Sequence, residues 1–180
     1  MPYQKSEKID GIKIIDLNIH RDSRGYLFES FKKINSLKNI NFCQDNIVKS
    51  KHSCLRGLHF QLEPVSQSKL ITLIKGEIQD VAVDLRKSSI TFGKYFSLNL
   101  SENNFKQIFI PKGFAHGFLT LSKDSIVNYK VDNFYSPQHQ SSIAFNDRDI
   151  GIEWQINEKE IFTSDKDRNN PKFSDIKYFN

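Results

Sequence analysis

Long apolar runs are missing from this sequence. No stretch approaches the roughly 20 residues that a helix needs to cross a bilayer. The opening residues, Met1 to Asp10, are polar and lack the apolar core of a secretory signal. Cysteine is scarce: Cys43 and Cys54 cannot build a disulfide framework, and they read as buried free thiols of a reducing cytosol. There is no internal repeat and no low-complexity linker. An RNA-binding signature is absent, and so is a basic helix with the spacing that reads DNA, so nucleic acid is not expected as a partner. The net charge of +5 is nevertheless positive, and its cations are scattered. That pattern suits a small phosphate-bearing molecule better than a polyanion.

What is present is enough for a packed core. A chain of 180 residues with 38% hydrophobic and 12% aromatic content is globular, and its length points to one domain. Residues 12–19 read as a strand, His20 to Gly25 as a turn, and Tyr26 to Phe31 as extended. A short helix is expected over 32–40. Strands are expected over 42–48, 69–74, 77–85, 95–100, 107–110, 116–121 and 126–131, separated by Gly, Pro and Asn. In the 77–85 segment, Val81, Val83 and Leu85 share one face, and Asp80, Ala82 and Asp84 share the other. Tyr129 shares a face with Val127 and Val131 and should point inward. Residues 116–121 are nearly all apolar, as in a strand buried on both faces. Many short strands at regular spacing predict an all-β antiparallel sandwich or barrel with few helices. Ser164 to Asp167 fits the S-x-x-D pattern of a helix start.

The stretch Leu55-Arg56-Gly57-Leu58-His59-Phe60-Gln61 carries the chemistry. It sets a cation, a glycine and a titratable imidazole within four residues, flanked by apolar side chains. An imidazole titrates near neutrality and can serve as a base. Strand parity puts Arg56 and His59 on opposite faces, so bringing both to one site requires a bulge at Gly57.

Further motifs occur with this one in a fixed order: Arg24-Gly25 with Glu29, Gln44-Asp45-Asn46, Gln67-x-Lys69-Leu70, Gly76-Glu77 with Asp80-Val81-Ala82-Val83-Asp84, Ser89-x-Thr91-Phe92-Gly93, Ile110-Pro111-x-Gly113-Phe114-Ala115-His116-Gly117-Phe118, Tyr129-Lys130, Tyr135-Ser136-Pro137, Asn146-Asp147 and Gly151-Ile152-x-Trp154. Together, from about residue 12 to about 168, they resemble the dTDP-4-dehydrorhamnose 3,5-epimerase family. The resemblance implies a cupin-type jelly roll, a homodimer in the cytoplasm, and a site that uses neither metal nor cofactor. It implies a core over about 12–155 and a C-terminal segment, about 156–180, that closes on the site. The substrate would be dTDP-4-dehydro-6-deoxy-D-glucose and the product dTDP-4-dehydro-L-rhamnose.

Residue by residue, the resemblance makes His59 the base, Asp167 its partner, Tyr129 the acid and Lys69 the cation that holds the enolate oxygen. His116 would touch the substrate. Arg24, Arg56 and Lys166 would meet the diphosphate or its surroundings, a task suited to guanidinium and ammonium groups. Glu29, Gln44, Asp45 and Asn46 would bond the nucleotide, and Tyr135 would pack near the base or sugar. Gln140 stands where the family often has Glu, which changes one contact to substrate or to a second subunit. A metal-dependent cupin is disfavoured, because His59 is followed by Phe60 and Gln61 and no His-x-His pair exists. An epimerase of one carbon only, one acting on another nucleotide, and a non-catalytic sugar-nucleotide-binding module are the competing expectations.

Overall fold

The computed structural model describes residues 9–180. Among these residues, twelve strands form antiparallel pairs. They are β1 Lys13–Asp16, β2 Ile19–Asp22, β3 Gly25–Phe28, β4 Gln44–Lys51, β5 Leu55–Gln61 and β6 Lys69–Lys75. They continue with β7 Glu77–Asp84, β8 Tyr95–Ser101, β9 Lys106–Ile110, β10 Phe114–Thr120, β11 Asp124–Val131 and β12 Gln140–Ser142. One sheet has the order β1-β9-β6-β11-β4 and the other β12-β5-β10-β7-β8, while β2 and β3 form a separate hairpin. This is the all-β antiparallel sandwich that the strand spacing predicts, and it has the cupin-type form that the resemblance implies. The sole α-helical turn among the described residues is α1, Asp165–Arg168.

Alternation builds the core. Ile71 and Leu73 of β6, Ile108 and Ile110 of β9 and Val127 of β11 face Ile78 and Ala82 of β7, Phe96, Leu98 and Leu100 of β8, and Phe114 and Phe118 of β10. The other face of the second sheet is covered too. Leu58, Phe60, Val81, Val83 and Ala115 pack against Ile143 and Ile150, which follow β12, and against Phe179 of the C-terminal segment, with Trp154 and Phe173 alongside. The covering explains why every residue of β10 is buried, as its apolar run requires.

Three expectations are corrected. The 12–19 strand is two strands, and the segment read as a turn supplies most of β2, leaving only Ser23 and Arg24 between β2 and β3. The expected helix over 32–40 is a single 3-10 turn, Asn35–Leu37. Its apolar residues explain why: Ile34, Leu37 and Ile40 recur every third residue, Leu37 N–H donates to Ile34 O, Ile40 N–H donates to Leu37 O, and all three side chains join one cluster. A spacing of three keeps a 3-10 turn on one face and drifts off the stripe of an α-helix. The cysteines are free but not buried: Cys43 is exposed and Cys54 half-buried.

Candidate active site

The sandwich encloses a cavity of about 330 Å³ lined by Arg56, His59, Lys69, His116, Tyr129, Tyr135, Gln140, Lys166 and Asp167, together with Gln67 and Phe118. The two sheets contribute different chemistry. Lys69 of β6 and Tyr129 of β11 come from one sheet, and Arg56 and His59 of β5 and His116 of β10 from the other.

Arg56 and His59 share the cavity because β5 is bulged. Arg56 pairs with Phe118 and His59 with His116, so three steps on β5 span two on β10. The extra residue falls at Gly57 and Leu58, and Gly57 has φ +135°, a conformation that L side chains rarely adopt. A Cβ there would lie 2.6 Å from Gly117 Cα, so the bulge rests directly on the backbone of β10.

His59 Nε2–H donates to Asp167 Oδ1 at 2.5 Å. The bond fixes one tautomer and leaves Nδ1 as the basic nitrogen. Asp167 is 5% exposed and arrives from the C-terminal segment. Its backbone N–H donates to Ser164 Oγ at 3.1 Å, so the S-x-x-D turn is capped as expected while the carboxylate stays free for His59. Burial works to raise the Asp167 carboxyl, but the His59 bond and charge and the Gly57 N–H together hold it below the usual carboxylate range. The Gly57 N–H reaches Asp167 Oδ2 at 3.3 Å.

Lys69 is buried, and its Nζ donates to His59 O at 3.1 Å. Burial lowers the amine to about 8, against the attraction of Asp80. The group is therefore mostly an ammonium at neutral pH, poorly hydrated and facing the cavity. Burial also lowers His116, whose Nε2–H donates to Asp80 Oδ2 at 2.8 Å. Tyr129 is raised by burial, with the Arg56 charge pulling the other way, so its hydroxyl stays protonated at neutral pH. Asp80 is the polar partner that the sequence expectations omit. It is fully buried, and its Oδ1 has no hydrogen-bond partner. A carboxylate at inward parity between Ile78 and Ala82 was the available signal.

At the cavity mouth, Gln140 Oε1 accepts from Lys166 Nζ at 2.9 Å and from Tyr135 Oη at 2.5 Å. Gln44 and Asn46 line an adjoining recess with Tyr129, Tyr135 and Gln67. Asp45 does not join them: strand alternation turns it to the opposite face, where it accepts from Asn128 and Lys130. Arg24 and Glu29 also stay away from this cavity. Arg24 is 88% exposed in the β2–β3 turn and pairs with Asp22, while Glu29 pairs with Lys32 beside a separate cleft. Among the described residues, no three His, Cys, Asp or Glu side chains come together as a metal-binding group.

The family model for dTDP-4-dehydrorhamnose 3,5-epimerase matches residues 6–175. The dTDP-4-dehydrorhamnose 3,5-epimerase of Shigella flexneri is 45% identical over 176 residues, which are 96% of either chain. That of Methanothermobacter thermautotrophicus is 47% identical over 165 residues, 89% of either chain. A crystal structure of dTDP-6-deoxy-D-glucose-3,5-epimerase from Legionella pneumophila, in complex with dTDP-4-keto-L-rhamnose, superposes with a TM-score of 0.90 at 37% identity, covering 98% of this chain and 95% of that one.

Proposed function

Because the chain belongs to the dTDP-4-dehydrorhamnose 3,5-epimerase family, we propose that it inverts carbons 3 and 5 of dTDP-4-dehydro-6-deoxy-D-glucose, giving dTDP-4-dehydro-L-rhamnose. The observation that carries this reading is the placement of His59 and Tyr129 on opposing sheets around one cavity. Epimerisation beside a ketone needs a base on one face of the sugar ring and an acid on the other. Nδ1 of His59 removes the proton alpha to the carbon-4 carbonyl. Asp167 stabilises the imidazolium that results. The electron pair moves onto the carbonyl oxygen, where the Lys69 ammonium stabilises the enolate in a water-poor site. Tyr129 returns a proton to the opposite face. Repetition at the second carbon completes the conversion, with no redox step and no cofactor.

Arg56 and Lys166 would meet the diphosphate, His116 the sugar, and Gln44, Asn46 and Tyr135 the nucleoside end. The chain would act as one cytoplasmic domain, with residues 156–180 closing the site. The second subunit would supply what this cavity lacks: in a homodimer, the β2–β3 hairpin of one copy would bring Arg24 and Glu29 to the nucleotide of the other. The exposed Tyr26 and Leu27 on that hairpin, and Ile47 exposed on the edge strand β4, support such a contact. Sedimentation should then report a dimer.

Proton NMR of the substrate in deuterium oxide tests the chemistry. Signals at carbons 3 and 5 should both disappear, and His59→Asn should stop the exchange while leaving binding intact. Exchange at a single carbon would replace this reading with a mono-epimerase. Binding with no exchange would make the protein a sugar-nucleotide-binding module.

A further inference from the structure

The bulge in β5 has a structural cost that the C-terminal segment offsets. A bulged residue loses its ladder partners, and buried backbone N–H and C=O groups need replacements. Leu58 finds them in Ile143, exchanging N–H···O bonds of 3.3 and 3.0 Å. Gly57 finds both in one short stretch of the tail. Its N–H donates to Asp167 Oδ2 at 3.3 Å, and its carbonyl accepts from Asn170 Nδ2 at 3.1 Å. The same Asn170 amide also reaches Ile143 O, at 3.4 Å. Asn170 follows Asp167 by three residues and lies just beyond the Ser164-capped turn.

We propose that Asn170 is a positioning residue of the epimerase site, clamping the Gly57 bulge so that His59 and the Asp167 carboxylate meet at hydrogen-bonding distance. The geometry makes the role specific. Gly57 lies two residues before His59 in the chain, and its other polar group is held by the carboxylate that holds the imidazole. Asp167 is thus fixed at both oxygens, one on the base and one on the bulge. Without the Asn170 donor, Gly57 O loses that bond, and Gly57 is tied to the tail by the Asp167 carboxylate alone. The 2.5 Å contact between His59 and Asp167 then lengthens. Asn170 does not line the cavity, so it acts through His59 and not on substrate.

The inference rests on the epimerase reading, but its primary test needs no substrate. A short imidazole–carboxylate hydrogen bond gives a far-downfield N–H proton resonance. In free wild-type protein this resonance should be present, and His59→Asn should erase it. Asn170→Asp keeps the side-chain volume and replaces the donor with an acceptor. That variant should shift the resonance upfield or broaden it beyond detection, with unchanged near-ultraviolet circular dichroism. In turnover, kcat should fall about 10- to 100-fold, the scale of a small misplacement of a catalytic group, with KM within about two-fold. Adding Asn170→Asp to Asp167→Asn should cost little more than Asp167→Asn alone, since both break one unit. An unmoved resonance, fold-losses that multiply in the double variant, or an Asn170→Asp protein that does not fold would each overturn the assignment. If wild type shows the resonance and its loss in Asn170→Asp but never exchanges substrate protons, the clamp stands and the epimerase reading fails.

Discussion

Replacing Lys69 with Met should make the protein more stable and nearly inactive. Lys69 is 9% exposed, and burial lowers its amine from 10.5 to about 8. At about 1.36 kcal/mol for each factor of ten in proton affinity, the buried ammonium costs the native state about 3 kcal/mol at pH 7. Met fills a similar volume without the charge but loses the bond to His59 O, worth about 1 kcal/mol. The net gain expected is about 2 kcal/mol. Its pH dependence identifies the cause. The native state holds the Lys69 proton less tightly than the unfolded chain, so between about pH 8 and pH 10.5 the unfolded chain binds more protons. Wild-type stability therefore gains from this group as pH rises through that window, and the advantage of the Met variant shrinks over the same interval. Urea unfolding followed by the fluorescence of Trp154, the single tryptophan, measures both proteins at pH 7 and above pH 10.5. Turnover by the variant should fall about 100- to 1,000-fold, as when an oxyanion-stabilising group is removed. A variant less stable than wild type at pH 7, or an advantage that persists unchanged above pH 10.5, would refute the reasoning.

Three further outcomes are expected. Tyr129→Phe should still exchange substrate protons with solvent through His59 but lose inversion about 100- to 10,000-fold, so deuterium enters with retention; proton NMR with a coupled reductase separates the two. Gly57→Ala should destabilise the fold by at least about 2 kcal/mol in urea unfolding, because φ is +135° and the new Cβ meets Gly117 Cα at 2.6 Å. Gln140→Glu sets a carboxylate against Lys166, now 2.9 Å from the amide oxygen, and should raise KM roughly two- to five-fold with kcat nearly unchanged, most clearly at low salt.

The sandwich was legible in the sequence wherever one residue type dominates a face. The apolar run of β10 and the alternation in β11 place His116 and Tyr129 without reference to any other segment. The bulge was legible as a requirement, since Arg56 and His59 could not otherwise meet, and the register of β5 against β10 supplies it. The local signals failed where two periodicities compete. The apolar spacing of Ile34, Leu37 and Ile40 fits a 3-10 turn, yet the segment was expected as a helix. The outward turn of Asp45 was readable from parity, because Gln44 and Asn46 on the same strand must face the other way. The path of the tail was not readable. Its contacts with β5 are long-range, carried by an Asn, an Asp and backbone groups that any polar loop could contain.

The separation of His59 from Asp167 by 108 residues has a consequence for shortening the chain. Both sheets are complete in sequence by β12, yet the partner of the imidazole and the apolar cover over Leu58, Phe60 and Val81 both come from residues after it. One stretch of chain therefore serves the base and the packing of the second sheet at once, so trimming it should cost stability and turnover together.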